Sequence, residues 1–275
     1  MTDRRYDEGL ADLVVSRPAE GVVLVTLSLP DRRNMMSGPM TASWGRLMAG
    51  LRTDTAVRAV VVTGEGSAFC SGGDVSWIGE LGPVSAGGPS VDELRSRMFP
   101  FYRTWLSVRE LDVPTIAAVN GPAIGAGLAL ALACDLRFVA ENAALAVPFT
   151  ALGMHPGMAT TYLLPEVAGL AVARDMLLTG RVLSGADAVA AGLASRSVPA
   201  GEVLGVALEA AAAVAAAAPV ATRLTKRALL GGGHASFEAA LEWEALAQPV
   251  TLTTQDLQEG LRARREKRAP TFTGR

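Results

Sequence analysis

The residues best suited to chemistry in this chain act through their backbone. Asn120-Gly121-Pro122-Ala123-Ile124-Gly125-Ala126-Gly127 separates an apolar, β-branched run (Thr115 to Val119) from an unbroken Ala/Leu run that ends at Cys134-Asp135. The first run reads as a buried strand and the second as a wholly buried helix. The glycine loop between them brings backbone N–H groups to a buried helix N-terminus. Those groups have no acceptor inside the helix, and the helix dipole there favours negative charge. An anion, or an oxyanion forming during a reaction, suits such a place. A second unit lies upstream. The apolar strand Ala59-Val60-Val61-Val62-Thr63 leads into Gly64, Gly66 and Ser67-Ala68-Phe69-Cys70-Ser71-Gly72-Gly73-Asp74. Two strand-to-glycine-loop units could each give one N–H to the same oxygen.

The elements that must position these loops follow from the pattern. Val22 to Leu29 is a strand stopped by Pro30-Asp31. Met40 to Thr53 has helical spacing, with Trp44, Leu47, Met48 and Leu51 on one face. Gly79 to Ser90 is a Gly/Pro/Ser-rich surface loop. Asp92 to Leu111 is a helix with Leu94, Met98, Phe101, Trp105 and Val108 inward, kinked or restarted at Pro100. Leu136 to Ala140 and Ala144 to Val147 read as strands, and Thr150 to Met158 as a loop. Thr160 to Leu178 is helical, broken near Gly169 and closed by Gly180. A capping-type Ser184 opens the next helix. Glu202 to Ala218, Thr222 to Leu230, Ser236 to Ala247 and Thr254 to Lys267 are further helices. Strands alternate with helices early and the last third is helical, so the class is α/β, with a core over residues 1–200 and a helical region over 201–275.

Composition narrows the function. The 275 residues are half hydrophobic, enough for one large core, and the net charge of −2 gives no reason to expect nucleic acid as a partner. The basic residues from Arg262 to Lys267 are interrupted by Ala263 and Glu266 and read as one charged helix face. Cys70 and Cys134 are the only cysteines and lack metal-ligand spacing, so neither a metal nor a disulfide is expected and a cytoplasmic location is the default. Met1 to Leu10 is charged and is not expected to be a signal peptide. Val203 to Ala218 is mostly alanine and contains Glu209, so a packed helix is expected there and not a membrane span.

Taken together, the motifs resemble the crotonase superfamily, the enoyl-CoA hydratase/isomerase fold. The resemblance rests on Val60-Val-Val-Thr-Gly, Ala68-Phe-Cys-Ser-Gly-Gly-Asp74, Ala117-Ala-Val-Asn-Gly-Pro-Ala-Ile-Gly-Ala-Gly127, Cys134-Asp-Leu-Arg137, Leu178-Thr-Gly-Arg181 and Glu259-Gly260 with Glu266-Lys-Arg268, in that family's order. It runs from about Val14 to Arg275. It implies a crotonase (ClpP-like) spiral of ββα units, a helical C-terminal region that assembles a homo-trimer or hexamer, and an acyl-CoA thioester ligand with no further cofactor. It also places the two oxyanion N–H groups on Gly73 and Ala126. The CoA contacts fall on Arg32, Arg33 and Met35 of the first CoA segment, on Ala68, Phe69 and Ser71, and on Lys267, which would reach a neighbouring subunit's ligand. Trp77, Met98 and Trp105 are candidates for the acyl pocket.

The chain departs from the family at the proton carriers. The two glutamates of a hydratase fall on Ala129 and Phe149, neither of which moves a proton. A general acid or base typically contributes about 100- to 10,000-fold, so ordinary two-glutamate hydration is not expected. His155, in Gly153-Met154-His155-Pro156-Gly157, is the acid–base candidate; its competing role is to fix that loop. Tyr162 reads as an amphipathic core residue, Asp74 as a helix cap, Cys70 as a small buried thiol, and Glu141 and Glu166 as solvated. Three functions remain open. One is enolate chemistry with an unusual proton carrier, marked by a polar side chain at the acyl group. Another is acyl-CoA binding without catalysis, marked by a wholly apolar pocket. The third is another crotonase-type reaction, such as decarboxylation or thioester or C–C hydrolysis; a basic side chain placed for a substrate carboxylate would favour that class.

Overall fold

The computed structural model describes residues 5–74, 87–231 and 236–275. Strands β1 (Leu13–Ala19) and β2 (Val22–Leu27) form an antiparallel pair. Onto β2 are added, all in parallel, β3 (Ala59–Gly64), β4 (Thr115–Val119), β6 (Leu136–Ala140) and β8 (Arg196–Val198), giving the order β1-β2-β3-β4-β6-β8. Every residue of β3 and β4 is buried, which is why both read as continuous apolar runs without alternation. Two short strands, β5 (Ala123–Ile124) and β7 (Leu145–Ala146), pair in parallel as a separate two-stranded sheet.

Helix α1 (Gly38–Thr53) is capped by Ser37 and buries Trp44, Leu47, Met48 and Leu51, the face its spacing predicts. Helix α2 (Val91–Leu106) passes through Pro100 and opens with a capping box between Ser90 and Glu93; a 3-10 turn from Ser107 to Glu110 completes the segment read as one helix. Helix α3 (Ala126–Ala133) is buried at every position. Helix α4 (Thr160–Thr179) breaks at Gly169 and ends on left-handed Gly180, and α5 (Gly185–Ala190) starts with a capping box between Ser184 and Asp187.

The alanine-rich α6 (Val203–Ala216) buries Val203, Ala207, Ala211 and Ala215 along one stripe and lies against β3, β4 and β6. No single described helix is long and apolar enough to cross a membrane. Three helices follow: α7 (Pro219–Gly231), α8 (Phe237–Leu252) and α9 (Gln255–Glu266). Strands β1, β5 and β8 were not read from the sequence, and several boundaries shift, two of them at prolines. Helix α7 begins at Pro219, since a proline at the first helical position loses nothing by lacking an N–H. Helix α8 runs through Pro249 to Leu252, because only one intrahelical bond is lost there, close to the end.

Candidate active site

Parallel neighbours β3 and β4 end at the same edge of the sheet, so the two glycine loops emerge side by side. Asn120 joins them: its side-chain oxygen accepts from Gly64 N at 3.1 Å and its amide nitrogen donates to Gly66 O at 3.0 Å. Backbone bonds continue the seam, with Cys70 N donating to Pro122 O at 3.2 Å and Ile124 N to Cys70 O at 3.0 Å. Gly127 allows this approach, because a Cβ there would stand 2.2 Å from Cys70 O.

Beyond the seam, Gly73 and Ala126 line one cavity of about 860 Å³. That size suits an organic ligand. A Cβ built on Gly72 would lie 3.4 Å from Ala126 N, so the two loops meet at this spot. Among the described residues, neither Gly73 N nor Ala126 N donates a hydrogen bond to the protein. For Ala126 this follows from its place as the first residue of α3. Two residues with unpartnered N–H groups therefore line the same space.

The structure places the two positions on which the hydratase glutamates were expected to fall as follows. Ala129 is wholly buried inside α3. Phe149 forms part of the cavity wall, its ring 3.6 Å from where a Gly125 Cβ would be. His155 also lines the cavity but is exposed, with Nδ1 2.8 Å from Pro156 O. That carbonyl can only accept, so Nδ1 carries a hydrogen there. This contact corresponds to the loop-fixing role considered for the histidine.

Arg32, Arg33 and Ser71 come together beside the same loop. Ser71 N donates to Arg33 O at 2.9 Å, Ser71 Oγ donates to Arg32 O at 3.3 Å, and Arg32 Nη2 stands 3.8 Å from Asp74 Oδ2. Buried Asn34 holds the segment by donating to Glu65 O and Ala68 O, each at 2.8 Å. The side chains of Met35, Ala68 and Phe69 are buried, so only their backbone can face a ligand. Lys267 is the exposed, left-handed C-cap of α9 and is not part of this cavity wall.

Several sequence-based roles need correction. Trp105 does not line the cavity: it is buried, stacks on Trp44 at 4.9 Å and donates to Thr41 Oγ1. Met98 does line it, and Trp77 lies outside the described residues. Glu166 is not a freely solvated charge. It takes both guanidinium nitrogens of Arg109, at 2.7 and 2.8 Å, and those bonds hold its carboxyl below the usual range. Tyr162 is exposed and donates to Glu166, so it is not a core residue. Burial pushes the Cys70 thiol up to about 12, which leaves it inert as a nucleophile. Tyr102, which the sequence reading passed over, faces the cavity, and burial raises its hydroxyl above the ordinary tyrosine value.

Comparison with known proteins agrees with this architecture. The family model for enoyl-CoA hydratase/isomerase matches residues 17–275. The chain belongs to the enoyl-CoA hydratase/isomerase family. It is 34% identical over 263 residues to the mouse enoyl-CoA hydratase domain-containing protein 2, mitochondrial, covering 94% of this chain and 86% of that protein. The crystal structure of an enoyl-CoA hydratase from Bacillus anthracis superposes with a TM-score of 0.88 at 31% identity, covering 96% of this chain and all of that one. Pseudomonas aeruginosa DspI matches with a TM-score of 0.86 at 30% identity, over 95% of this chain and 97% of its own. This family member therefore has the crotonase fold that its glycine loops suggest.

Proposed function

We propose that this family member binds an acyl-CoA thioester in the cavity and stabilises its enolate oxygen with the N–H groups of Gly73 and Ala126, without the two-glutamate hydration chemistry. The single observation carrying this reading is the pair of unpartnered amides that open onto one cavity. Ala129 and Phe149 leave the two hydratase glutamates without replacement at their own positions. Tyr102 and His155 on the wall favour enolate chemistry with a different proton carrier over passive binding. Arg46 and Arg97 also line the cavity, which keeps decarboxylation of a substrate bearing a carboxylate as the second reading.

Ala126→Pro tests the oxyanion role. Position 126 is the first of α3, where a proline ring is compatible with the helix, so the change removes the N–H while the helix can persist. Turnover of acyl-CoAs found in a mass-spectrometric screen should fall about 100- to 1,000-fold, the cost of one oxyanion donor. Unchanged turnover would remove Ala126 from the mechanism.

Assembly as a trimer or hexamer belongs to the same proposal, with Lys267 reaching a neighbouring subunit's ligand. Helix α8 buries no residue within its own chain, and it leaves Phe237 75% and Leu246 70% exposed. Such apolar surface is expected to be covered by another copy. Light scattering should give three or six chains per particle; a monomer would contradict this.

A further inference from the structure

We propose that Tyr102 is the proton carrier of this cavity, its phenolic hydroxyl giving a proton to Cα of the bound thioester enolate. The inference rests on the acyl-CoA reading above and adds the group that reading lacks.

Four observations converge on it. Tyr102 lines the cavity, and among the described residues its hydroxyl makes no hydrogen bond to the protein. Space is kept for that oxygen by Gly157, where a Cβ would stand 2.6 Å from it. Helix α2 holds the ring against Phe101 at 6.2 Å between centroids, and Phe101 in turn reaches within 3.9 Å of where a Gly73 Cβ would be. The wall that carries the phenol therefore also abuts one of the two oxyanion donors. Finally, the other candidates are engaged or remote. Asp74 faces Arg32, His155 holds Pro156 O through Nδ1, and Cys70 is fully buried.

The step balances without another reagent than water. The Tyr102 O–H bond breaks and a C–H bond forms at Cα from the enolate electron pair. The negative charge on the thioester oxygen collapses to restore the C=O bond. Water then reprotonates the phenolate. Run in reverse, the phenolate removes a proton from Cα of a saturated acyl-CoA, so bound substrate should exchange that proton with solvent. Among the described residues, Asp74, His155, Arg46 and Arg97 are the other charged or titratable side chains on the wall, and all are left intact in the test.

The experiment measures deuterium incorporation at Cα of butyryl-CoA in D2O by mass spectrometry across a pH series reaching about 10, the ordinary tyrosine value, because burial holds this phenol above it. Binding is measured in parallel by calorimetry. Wild-type protein should bind and exchange, while Tyr102→Phe should bind equally well and exchange at least about 100-fold more slowly. Gly157→Ala, which displaces the phenol and leaves its chemistry intact, should also slow exchange. Exchange in Tyr102→Phe within about threefold of wild type would overturn the proposal, since a general acid–base group contributes far more. Wild-type binding without any exchange would overturn it while leaving the acyl-CoA reading standing. Absence of binding by the wild type would overturn both.

Discussion

Crotonyl-CoA mixed with the unmodified protein should bind and yet be hydrated far more slowly than by an ordinary enzyme of the family. Hydration needs one group to take a proton from the attacking water and one to deliver a proton to Cα. Position 129 carries a methyl group sealed inside α3, and position 149 carries a phenyl ring in the cavity wall. Each missing carrier costs about 100- to 10,000-fold. Their effects need not add, because groups acting as a unit rarely do. Even with Tyr102 supplying the proton at Cα, the water lacks the glutamate base. Binding, on the proposed reading, uses backbone N–H groups and the cavity and does not need those two carriers. Loss of the enoyl absorbance, followed alongside calorimetric binding, checks both halves. A turnover on the order of ten per second, typical of enzymes, would sink the reading and assign the base to His155 or another wall residue.

Lys226→Met should destabilise the fold by about 3 kcal/mol, the lower end of the cost of breaking a buried ion pair. Lys226 lies on α7 and is only 6% exposed. Its ammonium donates to Val113 O at 2.8 Å and pairs with Asp135 Oδ2 at 2.8 Å. The same Asp135 oxygen accepts from Thr115 N at 2.7 Å and Thr115 Oγ1 at 2.9 Å, at the start of β4. The pair therefore fastens the C-terminal helices to the strand that leads into the second glycine loop. Methionine keeps most of the apolar stem but leaves the carboxylate without its cation and Val113 O without its donor. Urea unfolding at one fixed protein concentration measures the effect, because assembly makes stability concentration-dependent. Adding Asp135→Asn should recover part of the loss, since the two residues share one interaction. A midpoint equal to that of the wild type would show that the pair carries no stability.

The fold was largely legible because its signals are local. Strands β3 and β4 are apolar runs cut off by Gly64 and by Asn120-Gly121-Pro122, and α3 follows as an unbroken Ala/Leu stretch. The side-by-side placement of the loops follows from parallel pairing of neighbouring strands. The wall of the cavity was not legible in this way. Met98 and Trp105 share the predicted inward stripe of α2, yet one meets the cavity and the other the Trp44 ring. Tyr102 faces the cavity only because the distant loop around Gly157 leaves room for it. Likewise Lys226 reads as one cation on an amphipathic helix until Asp135 and Val113 are brought against it. Such pairings depend on which elements meet, and no local spacing encodes that.

The central claim, that two backbone amides hold a thioester oxygen, is tested most directly by carbon-13 NMR of butyryl-CoA labelled at its carbonyl carbon. Two N–H donors converging on the oxygen should polarise the C=O bond. On binding, the carbonyl resonance should move downfield, and Ala126→Pro should reverse most of that movement. A bound ligand whose carbonyl resonance stays at its free-solution position would contradict the assignment of Gly73 and Ala126.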